Sequence, residues 1–161
     1  MGSTVSRIPT RRPNVALQAL ALQRDFPGST VHLGPGRLSW IGKLKPSPLS
    51  DTHTVQIDYR GSGRPVVTVL SPKLVAPEGR RLPHVFPGDH PCLNFPGEWT
   101  ADMLIASTVV PWASEWLLHY EIWRATGTWT GGGHEPSQGP KRDSADADQA
   151  RHREPSWSRP T

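Results

Sequence analysis

The 161-residue chain has a single cysteine, Cys92, and no apolar run near the roughly 18 residues that a membrane-spanning helix needs. One cysteine excludes an internal disulfide framework. Basic residues near the N-terminus are not followed by the apolar segment of a secretory signal. We therefore expect a cytoplasmic protein of bacterial type with no membrane partner.

Concentrated positive charge is also lacking. The net charge is only +4, and the basic side chains are scattered along the chain. Nucleic-acid-binding proteins usually gather such charge on one helix or stripe, or interleave it with stacking aromatic rings. The pattern predicts a solvated basic surface and no nucleic-acid partner.

Sequence motifs for cofactors are missing as well. There is no Gly-x-Gly-x-x-Gly or Walker phosphate loop, and Gly131–Gly133 precedes no predicted helix. The potential metal ligands near the cysteine all fall in one loop, without a second cluster at metal spacing. We expect neither a cofactor nor a metal. These ligands are His84, Asp89, His90 and Cys92.

Proline and glycine, in contrast, are abundant, with 18 and 15 residues. This composition favours short elements joined by many turns. One domain is expected over residues 14–134. It follows a disordered lead-in (1–13) and precedes a polar, charge-mixed tail (135–161), which has too few large apolar groups to offset the entropy of ordering.

The N-terminal half of that domain predicts one helix and four strands. A helix is expected over 14–25, with Asn14 as N-cap and Leu17, Leu20 and Ala21 at helical spacing. Four short apolar segments follow, and the connections are too short for parallel crossovers. They predict an antiparallel meander in an α+β fold. The segments are Val31–Leu33, Leu38–Leu44, Val55–Tyr59 and Val66–Leu70.

Regular structure is expected to cease between Leu82 and Gly97, because four prolines there remove amide donors. This rigid loop holds the only cysteine, and rigid loops are common sites of chemistry.

A long helix should follow, capped by Thr100 with Asp102 in its first turn. Pro111 either kinks this helix or starts a second one. Gly127 ends the helical stretch. An aromatic stripe is expected to pack on the sheet as core, and consists of Trp112, Trp116, Tyr120 and Trp123.

This order of elements resembles the ubiquitin-conjugating fold over residues 14–126. The segment Cys92–Thr100 is similar to the family's stretch from the active cysteine to a tryptophan and a helix cap. Leu93, Asn94, Phe95, Trp99 and Thr100 fill the matching places. The closer likeness is to compact bacterial relatives in CBASS antiviral operons. It rests on Pro-Gly-Glu-Trp-Thr, the Trp-rich stretch Pro111–Trp123 and the Thr-Gly-x-Trp-x-Gly-Gly-Gly ending at Gly133.

The resemblance implies a cysteine acyltransferase in which Cys92 forms a thioester. The implied partner is the C-terminus of a cGAS/DncV-like nucleotidyltransferase, with a ubiquitin-activating-like enzyme as a further candidate partner. The family's His-Pro-Asn tripeptide is absent, and His84 stands where its asparagine would be. His84 is therefore a candidate donor to the oxyanion. His90 is a candidate for favouring the thiolate or deprotonating an acceptor.

Other interpretations stay open at this stage. Cys92 could be a buried inert cysteine, and His84 and His90 could be exposed loop residues. The chain could be a non-catalytic interaction module of the same fold, or a peptidase that cleaves conjugates. A papain-like site would need a distant histidine, and His119 lies on the Trp-rich stretch, where a structural role is expected.

Overall fold

The computed structural model of the protein describes residues 12–93 and 96–132. The tail predicted over 135–161 lies outside the described residues, as does all but the end of the lead-in predicted over 1–13. The predicted α+β fold is confirmed: an N-terminal helix, a four-stranded antiparallel sheet and a C-terminal helix.

Helix α1 (Val15–Asp25) begins and ends where the sequence predicts. The Asn14 side chain accepts a hydrogen bond from the Leu17 amide at 2.9 Å, which satisfies one of the unpaired donors of the first turn. The buried face includes Ala21, as predicted, but not the two leucines. Leu17 and Leu20 are 47% and 61% exposed, whereas Gln18 and Leu22 are completely buried.

The burial of Gln18 has a clear cause. Its side-chain amide donates to the Met103 carbonyl and its side-chain oxygen accepts from the Ile105 amide, both at 2.8 Å. One side chain therefore satisfies two main-chain groups of a segment more than 80 positions away. This double hydrogen bond sets the rotation of α1, because turning Leu17 and Leu20 inward would break it.

Replacing Gln18 with leucine should destabilise the protein, even though leucine is an apolar side chain at a buried position. The buried Ile105 amide and the partly buried Met103 carbonyl would lose their partners, at an expected cost of about 2–4 kcal/mol. The matched substitution Leu20→Gln, at an exposed position of the same helix, should change stability by less than about 0.5 kcal/mol. Urea unfolding monitored by tryptophan fluorescence measures both. Equal losses in the two variants would contradict this assignment.

Four strands form the sheet in sequence order, each antiparallel to the next. The predicted alternation is confirmed in β3, where Val55, Ile57 and Tyr59 face the core and the residues between them face outward. The meander therefore has one packed face and one outer face. The strands are β1 (Thr30–Gly34), β2 (Arg37–Leu44), β3 (His53–Tyr59) and β4 (Val66–Ser71).

The expectation of no regular structure between Leu82 and Gly97 is wrong in one respect. Two short antiparallel strands, β5 (Val85–Phe86) and β6 (His90–Pro91), form a hairpin. Pro91 is tolerated because the strand ends there and its missing amide interrupts no central ladder. The turn Pro87-Gly88-Asp89 carries positive φ values of 88° and 59° at its last two residues. Its composition is a turn signal that sequence reasoning could have used.

The predicted helix start at Thr100 is also wrong. Residues 100–104 are turn and coil, a 3-10 turn covers Ile105–Ser107, and helix α2 spans Val109–Thr126. Pro111 is the third residue of α2. It neither kinks the helix nor occupies its first position, and its missing amide costs no bond within the first turn.

The aromatic stripe of α2 is core, as predicted. Trp116, Tyr120 and Trp123 are buried, whereas Trp112 is half-buried. The Tyr120 hydroxyl lies within hydrogen-bonding distance of both main-chain groups of Val75, so the ring also fastens the segment after β4. Gly127 ends the helix in the left-handed conformation, as predicted.

A polar contact joins α2 to the loop before β3. The carboxylate of Glu121 accepts from the Asp51 amide at 3.0 Å and contacts Nε2 of the buried His53 at 2.9 Å. Burial alone would raise the pKa of Glu121. The hydrogen bonds from Ser50, His53 and the Asp51 amide outweigh it and hold this pKa below its usual value of 4.5.

This contact predicts a pH-dependent stability difference between the wild type and Glu121→Gln. A depressed folded pKa contributes stability above the unfolded pKa and loses it as the pH falls through the folded value. The variant should be less stable by about 1–3 kcal/mol at pH 7. The difference should shrink as the pH falls from about 5 through and below 4.5. Urea unfolding across this range measures it, and a difference independent of pH would contradict the assignment.

Candidate active site

Cys92 directly follows the β5–β6 hairpin, which fixes its main chain. Its amide donates to the His84 carbonyl at 2.8 Å, one step beyond the paired residues Val85 and Pro91. The same carbonyl accepts from Nε1 of Trp116 at 3.1 Å. The cysteine is therefore tied through one carbonyl to the aromatic face of α2.

The cysteine side chain is buried. Cys92 is 6% exposed and belongs to the buried hydrophobic residues of the protein. Its two neighbours, Pro91 and Leu93, line a small surface cleft with Arg64 and Trp99. The cleft therefore reaches the residues on either side of Cys92, although Cys92 is not itself part of its lining.

His84 has an unusual main-chain conformation for a residue with a side chain. Its φ is +50°, in the left-handed region that favours glycine and tolerates asparagine. The imidazole ring stacks on Trp129, with ring centres 4.8 Å apart and planes 25° apart. His84 is accordingly half-buried, so the alternative of an exposed loop residue is wrong for it.

Trp129 itself follows helix α2 and folds back onto it. Its ring also lies beside Trp116 and His119, with ring centres 5.7 and 5.8 Å away. His119 has the structural role expected for it, since Nδ1 contacts the Thr130 hydroxyl at 2.8 Å. The segment after α2 therefore supports the ring of His84. Trp129 belongs to the motif quoted above, but its spacing gave no indication of this contact.

His90 turns its ring toward strand β4. Nδ1 lies 3.1 Å from the Val67 carbonyl and 3.1 Å from the Thr68 hydroxyl. A carbonyl can only accept, so the first contact assigns the hydrogen to Nδ1. In the neutral ring Nε2 is then the nitrogen able to take a proton. His90 is also half-buried, and here too the exposed-loop alternative is wrong.

Trp99 closes the other side of the cleft. Its Nε1 donates to the Gly63 carbonyl at 3.1 Å, and its ring meets that of Tyr59 edge-on at 6.1 Å. The segment after the cysteine is thereby attached to the β3–β4 loop. Asn94 and Phe95, quoted for the resemblance, lie outside the described residues.

Metal ligation finds no support in the part of the chain that is described. Residues 12–93 and 96–132 contain no group of three or more histidine, cysteine, aspartate or glutamate side chains placed to hold an ion. None of the helices in those ranges has the length and apolar character needed to cross a bilayer.

Comparison with known protein families decides the assignment. The family model described as "Type II CBASS E2 protein" matches residues 18–136, well over half of the chain. The chain belongs to the type II CBASS E2 family. The comparison with curated proteins gives no significant match.

Family membership gives this E2 protein a role in CBASS antiviral operons with ubiquitin-conjugating character. It points to other CBASS components as partners. The matched range contains the β5–β6 hairpin, Cys92 and helix α2. Of the predicted site residues, the structure joins His84 to Cys92 through their main chains, and it anchors the His90 ring on β4.

Proposed function

We propose that this type II CBASS E2 protein is a cysteine acyltransferase of ubiquitin-conjugating type, with Cys92 as its thioester-forming nucleophile. The observation that carries the proposal is the placement of the chain's only cysteine. It follows a short hairpin, is fixed by its amide to the His84 carbonyl and stands beside a surface cleft, within the range matched by the family.

In the proposed reaction Cys92 receives the C-terminal acyl group of a cGAS/DncV-like nucleotidyltransferase. The thiolate of Cys92 attacks the carbonyl carbon of a donor thioester on a ubiquitin-activating-like enzyme. The new C–S bond forms as the donor's C–S bond breaks, and the donor cysteine leaves as a thiolate. An acceptor amine then attacks, giving an amide, and Cys92 recovers the proton that the amine loses.

The chain's own groups would serve this reaction mainly by positioning. Thioester exchange is close to isoenergetic and requires no tightly coupled base, so holding the reacting atoms together supplies much of the rate. The fixed main chain of Cys92 meets that requirement. His84 is proposed to donate to the oxyanion, and Nε2 of His90 is proposed to take a proton from the acceptor amine.

The burial of Cys92 also favours a second function. Cys92 is 6% exposed, which also suits a non-catalytic interaction module that binds the same partner through the same surface. In that case the cysteine would be a packed loop residue and no covalent intermediate would form.

Covalent trapping tests the two functions against each other. The protein is incubated with the nucleotidyltransferase of its own operon, an activating enzyme and ATP with Mg²⁺, which together supply the donor thioester. Products are separated without reductant. An adduct that disappears on adding dithiothreitol supports the transferase. Stable binding by Cys92→Ser, together with no adduct from the wild type, supports the module and overturns the proposal.

A further inference from the structure

An open groove of about 610 Å³ lies at the edge of the outer face of the sheet, next to the cleft at the active site. It includes a row of four side chains in direct register across all four strands: His32, Ser39, Asp58 and Val66. The β3–β4 loop, residues 60–65, forms one end of the groove.

The groove is basic. Arg37, Arg60 and Arg64 line it and are all exposed, whereas the acidic lining residue is Asp58. The Asp58 carboxylate already accepts a hydrogen bond from the Gln56 side chain at 2.8 Å. The lining therefore carries an excess of two positive charges in a concave surface, which attracts an anionic partner.

Two apolar side chains stand among these arginines. Leu33 and Val66 line the groove and are 56% and 40% exposed. The ring of Tyr59 in the lining is buried and offers no face for stacking a base, so the exposed ring of the groove is the imidazole of His32. Three arginines and two aliphatic side chains beside a single small imidazole suit an acidic peptide with apolar residues better than a single-stranded nucleic acid, which binds on several larger stacking rings.

Arg64 connects the groove to the active site. It lines both the groove and the cleft that contains Pro91 and Leu93, the two neighbours of Cys92. Its guanidinium lies 3.9 Å from the ring centre of Phe86, on the hairpin that carries the cysteine. A peptide lying in the groove would pass Arg64 on its way to Cys92.

We infer that this groove binds an acidic peptide segment with interspersed apolar residues, the stretch that precedes the C-terminus carried by Cys92. The identification of the bound peptide as this stretch rests on the thioester function proposed above. The groove would select cargo by its acidic residues before the acyl group reaches the cysteine.

The binding step is tested without any covalent chemistry, in a Cys92→Ala background. The probe is a fluorescein-labelled peptide of four Glu-Leu-Gly repeats, compared with its Gln-Leu-Gly counterpart and with a thymidine dodecanucleotide. The groove variant combines Arg37→Gln with Arg60→Gln and leaves Arg64 in place, because Arg64 also packs on Phe86. The control combines Lys45→Gln with Lys73→Gln, two exposed charges outside the groove lining.

Fluorescence anisotropy at low salt should show that the groove variant binds the acidic peptide about tenfold more weakly than its parent. The control variant should differ by less than about twofold. Equal affinity in the groove variant and the parent, or equal losses in both variants, would overturn the inference. Tighter binding of the oligonucleotide, lost in the groove variant, would make the groove a phosphate site and overturn it as well.

The link to Cys92 is tested with alkyl thioesters of the same two peptides as acyl donors for the protein with its cysteine intact. The acidic peptide should acylate Cys92 about tenfold faster than the glutamine peptide, and the groove variant should lose this preference. Equal rates would refute cargo selection while leaving the thioester chemistry in place. Peptide binding without any acylation would instead refute the proposed function.

Discussion

The Cys92→Ala variant is expected to form no thioester, while folding as the wild type does. Alanine removes only the sulfur atom from a buried site, so the stability loss should be about 1–2 kcal/mol. The amide that donates to the His84 carbonyl stays in place. Gel trapping of the adduct and thermal unfolding, done on the same preparations, measure both effects.

Cys92→Ser is the informative companion. A serine hydroxyl at the same position is a weaker nucleophile, so any adduct should form slowly and, as an oxyester, should resist thiols. An adduct of wild-type yield from the alanine variant would place the reacting group elsewhere. Loss of the adduct together with a large fall in unfolding temperature would show that the cysteine acts through packing.

His84 carries the second large prediction. If its ring donates to the oxyanion, His84→Gly should slow acyl transfer about a hundredfold, the usual effect of removing one such donor. The main chain should tolerate this change, because His84 has φ = +50° and glycine adopts that conformation without strain. The His84 carbonyl, which holds Cys92 and Trp116, is retained in every variant.

Asparagine is the matched control for that experiment. It is the side chain next best suited to a left-handed main chain, and it carries an amide donor. His84→Asn should therefore keep transfer within about tenfold of the wild type. Initial rates from the peptide thioester measure all three proteins. Equal rates for glycine and wild type would show that the ring only packs on Trp129, and a glycine variant that unfolds in the assay range would point to the same structural role.

The strands and helix caps could be predicted from sequence because local rules determine them. Alternating apolar residues identified β3, Asn14 identified the start of α1, and Gly127 identified the end of α2. Each signal lies within a few residues of the feature that it predicts. The short hairpin was not predicted because four prolines argue against strands, whereas the Pro-Gly-Asp turn that favours a hairpin is a weaker local signal.

Apart from the hairpin, the errors concern contacts between distant residues. The rotation of α1 depends on Gln18 reaching Met103 and Ile105, which periodicity does not encode. The same segment explains the wrong helix start, since residues that hydrogen-bond to Gln18 occupy the place where an uninterrupted helix was expected. Thr100 is a favourable helix cap, but the tertiary contacts of the residues after it prevent a helix from starting there.

The residues of the candidate site could be predicted from the sequence, but their contacts could not. Cys92, His84 and His90 could be named from composition, spacing and resemblance. The stacking of His84 on Trp129, the anchor from Trp116 and the contact of His90 with β4 could not, because each joins elements far apart in the chain. Because of these contacts, the three residues have different surroundings although they are close together in the sequence.

Mass spectrometry of the trapped species tests the central claim most directly. Wild-type protein, its nucleotidyltransferase partner, an activating enzyme and ATP with Mg²⁺ are reacted, quenched in acid and digested without reductant. We expect a cross-linked peptide that joins the partner's C-terminal residue to Cys92, with a mass lower than the sum of the two peptides by one water, and its loss after dithiothreitol. A cross-link that maps to a lysine or another residue of this chain, or one that survives dithiothreitol, would contradict it.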